Sequence, residues 1–150
     1  PDELERDITG LIITGDSAGG NLTIVTTNQL MRGPAAVPVI VQAPIYPVAS
    51  DVSKHKSFSL FADGFLLTGA AMAWFTDQYK GDLCTAGLDP LRDSGREYAA
   101  HLVQLGTEVV FLEFPGMIHG FTTLRKAIPS GQTDLEAFLD AVKLMVERYR

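Results

Sequence analysis

Apolar residues along the chain form either near-continuous runs or runs at helical spacing. The near-continuous runs predict strands. Apolar and β-branched residues dominate positions 8–14 and 37–43 and, more briefly, 83–87. Near-continuous runs of this kind are typical of strands buried on both faces of a parallel sheet. Residues 108–114 alternate β-prone and polar positions and predict a fourth strand.

The segments between these strands carry apolar residues at helical spacing. They predict helices over 18–31, 68–79 and 93–105. The first helix is predicted against local propensity, because residues 23–27 are five consecutive β-branched residues, a composition that favours strands. The glycine-rich turn at 15–19 that precedes this helix outweighs the preference.

The last part of the chain shows the clearest helical pattern. Its apolar residues fall on one stripe, namely Leu135, Phe138, Leu139, Val142, Met145 and Val146. Thr133 and Glu136 have the spacing of a capping box, which predicts the start of the helix there. Strands that alternate with helices predict an α/β fold, with a parallel sheet covered on both faces and functional loops at the carboxyl ends of its strands.

Composition and charge narrow the class of protein. Hydrophobic residues make up 46% and charged residues 20% of the 150 residues, which is typical of one globular domain and excludes intrinsic disorder. A net charge of −6 without a basic patch argues against a nucleic-acid partner. The single cysteine, Cys84, excludes an internal disulfide and fits a cytoplasmic protein. The prolines within 37–48 and the acidic first residues predict neither a membrane span nor a signal peptide.

Candidate chemistry begins at residues 15–19, which read Gly-Asp-Ser-Ala-Gly between an apolar strand and a helix. This order predicts a sharp strand-to-helix turn that holds the Ser17 hydroxyl above the edge of the sheet. We expect glycine at 15 and 19 because a side chain at either position would collide with the turn. The alternative is that Ser17 only caps the helix that follows.

A serine hydroxyl needs a base to attack a carbonyl group at neutral pH, and the chain contains three histidines. His55 lies in a polar loop that precedes every suitable acid, and His101 falls within a predicted helix. His119 follows the predicted strand 108–114, in a loop shaped by a proline and two glycines. We therefore predict that His119 is the base.

The base in turn needs an acid that orients it, and in this fold the acid lies between the serine and the histidine in the chain. Asp89 follows the short strand 83–87 directly and precedes a proline that ends the strand. Asp93 lies at the start of the next helix, where a carboxylate caps backbone amides. We assign Asp89 to His119 and Asp93 to the helix, and we interpret Asp16 as structural.

Three segments of the chain, 15–22, 88–93 and 115–121, resemble in their order the carboxyl-terminal motifs of the hormone-sensitive-lipase family of α/β-hydrolase esterases. The resemblance implies that Ser17 is the nucleophile, Asp89 the acid and His119 the base. It implies hydrolysis of small-molecule carboxylic esters with short or medium acyl chains, and neither cofactor nor metal. The backbone N–H of Ala18 is the oxyanion-hole donor that the serine motif supplies.

The chain also departs from the family pattern. Family members carry a His-Gly-Gly-Gly-type loop before the serine, together with further strands and a helical cap, and none of these occurs here. We therefore expect residues 1–150 to be the carboxyl-terminal part of one catalytic domain with a partial α/β-hydrolase fold. Relatives have a longer loop where Asp82 meets Leu83, so we also expect a missing segment there. The family often dimerises through the sheet edge, which makes a homodimer a further expectation.

Other function classes stay open at this point. An amidase or deacetylase would use the same three side chains, and turnover of a matched ester and anilide would separate the two. Some ligand-binding plant hormone receptors resemble this family but lack the histidine, whereas His119 is present here. An inactive fragment is the remaining alternative.

Overall fold

Strands and helices alternate through the part of the chain that the computed structural model describes, which is residues 7–68 and 87–149. In chain order the elements are β1 (Leu11–Asp16), α1 (Ala18–Arg32), β2 (Val39–Ile45), a 3₁₀ turn (Val52–Lys54), α2 (Lys56–Leu60), α3 (Arg92–Gln104), α4 (Phe121–Leu124) and α5 (Gly131–Tyr149).

The two strands of the described sheet lie side by side and run parallel. Their register places Ile12 beside Val41 and Asp16 beside Ile45, so both strands end at the same edge. The connection between them is α1, which contacts both strands. Parallel neighbours require a crossover of this kind, and the α/β fold class predicted from the sequence is confirmed for this part of the chain.

α1 forms despite its β-branched run, as predicted. The hydroxyl groups of Thr23 and Thr27 donate hydrogen bonds to the carbonyl oxygens of Gly19 and Thr23, at 2.9 and 2.8 Å. Ile24 is buried against the sheet side. Threonine hydroxyls that bond back to the preceding turn are satisfied within the helix, which reduces the disadvantage of these residue types.

The strand predicted over 108–114 is not assigned, and this part of the prediction is corrected. Strands are defined by hydrogen bonds to a neighbouring strand, and no bond of that kind is described for residues 107–114. Its predicted neighbour at 83–87 and the predicted helix 68–79 lie outside the described residues, apart from Thr68 and Gly87. The segment is held to the helices by ion pairs, since Arg96 of α3 binds Glu113 and Arg148 of α5 binds Glu108.

The predicted capping box of the last helix is wrong. α5 begins at Gly131, so Thr133 lies inside its first turn. The side chain of Glu136 accepts a hydrogen bond from the side chain of Gln132 at 2.8 Å, instead of from a backbone amide. The Ser130 carbonyl accepts the N–H of Asp134, which places the start of the helix three residues before the predicted one.

Two groups of apolar side chains support the loops at the carboxyl ends of the strands. Tyr46, Met117 and Phe121 form the first group. The second surrounds Leu91, which is fully buried against Val48. Because both groups lie beneath the same loops, they fix the positions of the polar side chains above them.

Candidate active site

Ser17 lies in the turn between β1 and α1 and has an unusual backbone. Its φ is +53° and its ψ is −118°, a combination that residues with a side chain rarely adopt. Two backbone hydrogen bonds hold it, from Ser17 N–H to the Ile45 carbonyl at 2.9 Å and from Asn21 N–H to the Ser17 carbonyl at 3.1 Å. Backbone strain of this kind, about 1–3 kcal/mol, persists where the surrounding structure fixes the residue.

Glycines around Ser17 allow the turn to close, although not at both of the positions that the sequence predicted. A Cβ added at Gly15 would lie 2.5 Å from the Gly19 carbonyl oxygen, so the prediction for position 15 is confirmed. At Gly19 a Cβ would meet nothing within 4 Å, and the prediction for that position is wrong. The tight position is Gly20, where a Cβ would lie 2.2 Å from the Cβ of Pro47.

The side chain of Ser17 contacts His119. Ser17 Oγ lies 2.9 Å from His119 Nε2, although the two residues are 102 positions apart in the chain. His119 is buried in a loop whose neighbouring Gly120 has a φ of +76°. A parallel bridge between Leu88 and Ile118 places this loop beside the one that carries Asp89.

Asp89 contacts the other nitrogen of the same imidazole. Asp89 Oδ2 lies 2.8 Å from His119 Nδ1, and the side chain of Asp89 has no exposed surface. Its Oδ1 accepts the backbone N–H of Leu91 at 2.9 Å. An ionised carboxylate can only accept hydrogen bonds, so Nδ1–H is the donor and Nε2 is left to accept from the Ser17 hydroxyl.

Asp93, the other candidate acid, does not contact His119 in the described structure. Its carboxylate accepts the backbone N–H of Ser57 at 2.9 Å and pairs with Arg92 at 2.9 Å. Partial burial opposes ionisation, but the hydrogen bonds from Arg92 and Ser57 and the charges of Arg92 and Arg96 outweigh it and lower the pKa of Asp93. Asp93 therefore caps α2 and not its own helix, a correction to the role predicted from the sequence.

The remaining candidates lie elsewhere. His55 Nε2 is 2.8 Å from Ser50 Oγ and 3.5 Å from a carboxylate oxygen of Glu97. His101 is exposed on α3. The Asp16 carboxylate accepts a hydrogen bond from the hydroxyl of Tyr46 at 3.2 Å, which agrees with its predicted structural role.

Sequence reasoning missed Tyr46, which packs against the imidazole. The ring centroids of Tyr46 and His119 are 4.8 Å apart, and Tyr46 has a φ of +31°. Its position directly after β2, at the same edge as Ser17, was the available signal. Tyr46 is distant in the sequence from the three motifs, so a local sequence pattern could not associate it with them.

The arrangement can support nucleophilic chemistry at a polarised carbonyl group. Ala18 is the first residue of α1, so its N–H is not used by the helix and is available to an oxyanion beside Ser17. Within the described ranges, no three His, Cys, Asp or Glu side chains are grouped closely enough to hold a metal ion. A search of the same residues finds no helix that is both long and apolar enough to cross a membrane.

Comparison with known proteins identifies relatives along nearly the whole chain. Residues 2–83 and 82–123 match the profile of a family described as alpha/beta hydrolase fold. The ethyl acetate hydrolase of Pseudomonas putida is 28% identical over 161 residues, an alignment that covers 91% of this chain and 51% of that protein. The carboxylic ester hydrolase LipN of Mycobacterium tuberculosis is 34% identical over 142 residues, covering 75% of this chain and 37% of LipN.

Solved structures agree with these matches. A bacterial heroin esterase superposes with a TM-score of 0.77 at 27% identity, covering 99% of this chain and 55% of the esterase. The chain thus spans about half the length of the relatives it matches. These matches confirm the predicted family: the chain belongs to the alpha/beta hydrolase fold family, and within it to the hormone-sensitive-lipase-like hydrolases.

Proposed function

We propose that this chain carries the nucleophile, base and acid of a serine carboxylesterase. The observation that supports the proposal most directly is the continuous contact from Ser17 Oγ to His119 Nε2 at 2.9 Å and from His119 Nδ1 to Asp89 Oδ2 at 2.8 Å. A serine, an imidazole and a buried carboxylate in this order are the parts that acyl transfer through a covalent intermediate requires.

In the proposed reaction, Ser17 Oγ attacks the ester carbonyl carbon while His119 Nε2 takes the hydroxyl proton. The tetrahedral intermediate collapses when the bond to the leaving alkoxide breaks, and the imidazolium returns its proton to that oxygen. Water then attacks the acyl-serine by the same route, releasing the acid and restoring the Ser17 hydroxyl. Asp89 holds the imidazole in the correct tautomer and stabilises its charged form throughout.

The developing oxyanion needs donors, and the Ala18 N–H is the one this chain offers next to Ser17. Oxyanion holes use more than one donor, and removing one typically reduces turnover about 10²–10³-fold. Since the matched relatives are about twice as long as the aligned part of this chain, we propose that it is the carboxyl-terminal part of a longer catalytic domain that supplies the other donors.

We further propose that the chain lacks an internal segment that its relatives contain. The family match is divided into two parts that meet at residues 82 and 83. The alignment with the P. putida hydrolase spans 161 residues, which is longer than the whole 150-residue chain. A deletion between Asp82 and Leu83 accounts for both observations.

For the substrate, we propose small carboxylic esters with short or medium acyl chains. Two relatives are an ethyl acetate hydrolase and a heroin esterase, whose names both refer to small-molecule esters. The exposed side chain of Leu66 lies over Gly120, since a Cβ added to that glycine would be 3.3 Å from Leu66 Cδ2. An apolar side chain next to the residue that follows His119 supports an uncharged substituent on the substrate.

Two further proposals concern the location of the protein in the cell and its oligomeric state. The single cysteine, Cys84, supports a cytoplasmic location, where thiols stay reduced. Self-association as a homodimer is supported by the exposed apolar side chain of Ile12 in β1, a strand whose other edge pairs with no other described strand. Light scattering of the purified chain across a concentration series tests the dimer.

The decisive experiment for the proposed function is intact mass spectrometry after reaction with a p-nitrophenyl phosphonate. We expect one covalent adduct, located on Ser17 by peptide mapping and absent after Ser17→Ala, while Ser50→Ala still reacts. A folded wild-type chain that forms no Ser17 adduct at millimolar reagent would refute the proposal. Turnover of p-nitrophenyl butyrate but not of the matching anilide would separate an esterase from an amidase.

A further inference from the structure

Tyr46 occupies a place in the site that the proposed chemistry does not use. It follows the last residue of β2 and is 2% exposed. Its φ of +31° lies in the left-handed region, which bulky residues seldom enter. A buried tyrosine in an unfavourable backbone conformation is retained where the surroundings hold it in place, and such positions cluster at functional sites.

The hydroxyl of Tyr46 joins two loops that are distant in the sequence. It donates to Asp16 Oδ2 at 3.2 Å, and Asp16 immediately precedes the nucleophile. It also makes a short hydrogen bond with Thr122 Oγ1, three residues after His119. One phenol oxygen therefore connects the residue beside Ser17 to the loop that carries the base.

The direction of these bonds follows from the charges involved. Burial is the main reason that the pKa of Tyr46 rises to about 12, so the phenol keeps its proton at any ordinary assay pH. That proton goes to the Asp16 carboxylate, which can only accept. The Thr122 hydroxyl then donates to the phenol oxygen, and all three groups are satisfied in a single arrangement.

The ring of Tyr46 limits the movement of the imidazole. It lies 4.8 Å from the ring of His119 at an interplanar angle of 58°, and it also packs edge-on against Phe121, with the two ring centroids 5.5 Å apart. An imidazole packed in this way cannot swing away from Ser17 without displacing a buried aromatic ring. Tilted and edge-on aromatic pairs at this distance are favourable in themselves.

Resting on the proposed function, we propose that Tyr46 is a positioning residue that sets the separation of Ser17 and His119 by fastening the His119 loop to the residue before the nucleophile. The hydroxyl fixes the loop through Thr122 and Asp16, and the ring fixes the imidazole. Transfer of a proton between Oγ and Nε2 depends steeply on this separation, and misplacement by about 1 Å can reduce turnover about 100-fold.

The test compares Tyr46→Phe with Tyr98→Phe. Both changes remove one tyrosine hydroxyl that donates a hydrogen bond. Tyr98 lies on α3, and its hydroxyl donates to Gln42 Oε1 at 2.9 Å. We expect Tyr46→Phe to lower kcat about 10- to 100-fold with little change in KM, and Tyr98→Phe to stay within about twofold because its bond makes no contact with the triad. Equal kcat values for the two variants, after correction for the folded fraction, would overturn the proposal.

A second variant and a second readout separate this proposal from the proposed function. Thr122→Val should reproduce the kcat loss of Tyr46→Phe, and the double variant should lose little more, because both remove the same connection. The low-field NMR signal of the His119 Nδ1 proton reports the position of the imidazole without any turnover. If wild type shows this signal but fails to react with phosphonate, the proposed function fails alone; if Tyr46→Phe retains the signal unchanged, the positioning role fails.

Discussion

The part of the chain that the structure describes contains two serine–histidine contacts of nearly equal length, and only one of these two has the surroundings of a reactive pair. Ser17 Oγ lies 2.9 Å from His119 Nε2, and Ser50 Oγ lies 2.8 Å from His55 Nε2. By distance alone, the second contact would be the better one. The difference lies in the carboxylate that accompanies each imidazole.

At His119 the carboxylate of Asp89 is fully buried and faces the nitrogen opposite to the one that faces Ser17. At His55 the carboxylate of Glu97 is 64% exposed and approaches the same nitrogen that faces Ser50, at 3.5 Å. An acid on the far nitrogen selects the tautomer that accepts a proton from serine, whereas an acid on the near nitrogen competes with the serine. From this comparison we expect the carboxylate at the second nitrogen of an imidazole to decide whether a neighbouring serine is activated.

The largest effect that would test this comparison comes from removing each hydroxyl in turn. We expect Ser17→Ala to reduce kcat for p-nitrophenyl butyrate about 10⁵-fold or more, since no acyl intermediate can form. Ser50→Ala should leave kcat within about twofold, because it removes only a surface hydrogen bond. Steady-state hydrolysis measures both, and a comparable loss in Ser50→Ala would contradict the distinction between the two pairs.

The carboxylates give the next largest effect. Asp89→Asn should lower kcat about 10³–10⁴-fold, because an amide can donate to Nδ1 and favour the wrong tautomer of His119. Glu97→Gln serves as the matched control and should change kcat by less than about twofold, as expected for an exposed partner. Circular dichroism confirms that both variants are folded. If Asp93→Asn reduced kcat more than Asp89→Asn, the assignment of the acid would be wrong.

The packing around the turn that carries Ser17 can be tested by measuring the free energy of unfolding. Gly20→Ala places a methyl group against Pro47, with a 2.2 Å approach that backbone movement must relieve. We expect a loss of about 1–3 kcal/mol in the free energy of unfolding, as is typical of overpacking. Gly19→Ala has open space and lies in α1, so it should raise stability by about 0.5–1 kcal/mol. Urea denaturation of the two variants should therefore give opposite signs.

The smallest effect concerns the region of the second pair, where Asp93 caps the helix that follows His55. Asp93→Asn should reduce the free energy of unfolding by about 1 kcal/mol at pH 7. Because folding lowers the pKa of Asp93, its contribution is complete above the unfolded-state pKa of about 3.9 and disappears as the pH falls through the lower folded-state value. Thermal melts of wild type and Asp93→Asn should thus converge as the pH falls below the folded-state pKa of Asp93, and a constant difference would contradict the ionic origin of the effect.

The parts of the site that could be predicted are those that local sequence encodes. Ser17, Asp89 and His119 each lie in a short motif in which glycine and proline shape the turn. Tyr46 could not be found in this way, because its hydroxyl partners lie 30 and 76 positions away in the chain. Its contribution arises from packing between loops, which no single segment specifies.

In the fold, too, the features encoded by local sequence were predicted and those that depend on distant partners were not. α1 was predicted correctly against local propensity because the turn at 15–19 overrides the five β-branched residues that follow. The strand at 108–114 was predicted from alternation, but pairing requires a neighbour, and the alternation contains no information about whether one is present. Thr133 matched a capping motif, yet the helix starts earlier because the carbonyl of Ser130 already accepts its first hydrogen bond.

The long separation between Ser17 and His119 has a consequence for how the protein is made. During synthesis at about 5–20 residues per second, 102 positions correspond to a delay of about 5–20 s between the two residues. β1, α1 and β2 all lie within positions 11–45 and can pair as soon as β2 has been made, whereas the contact with His119 comes late because it must close a loop of 102 positions. Under the proposed function, the nascent chain therefore carries the nucleophile Ser17 several seconds before its base His119 is made, and we expect reactivity only after the last third of the chain has docked.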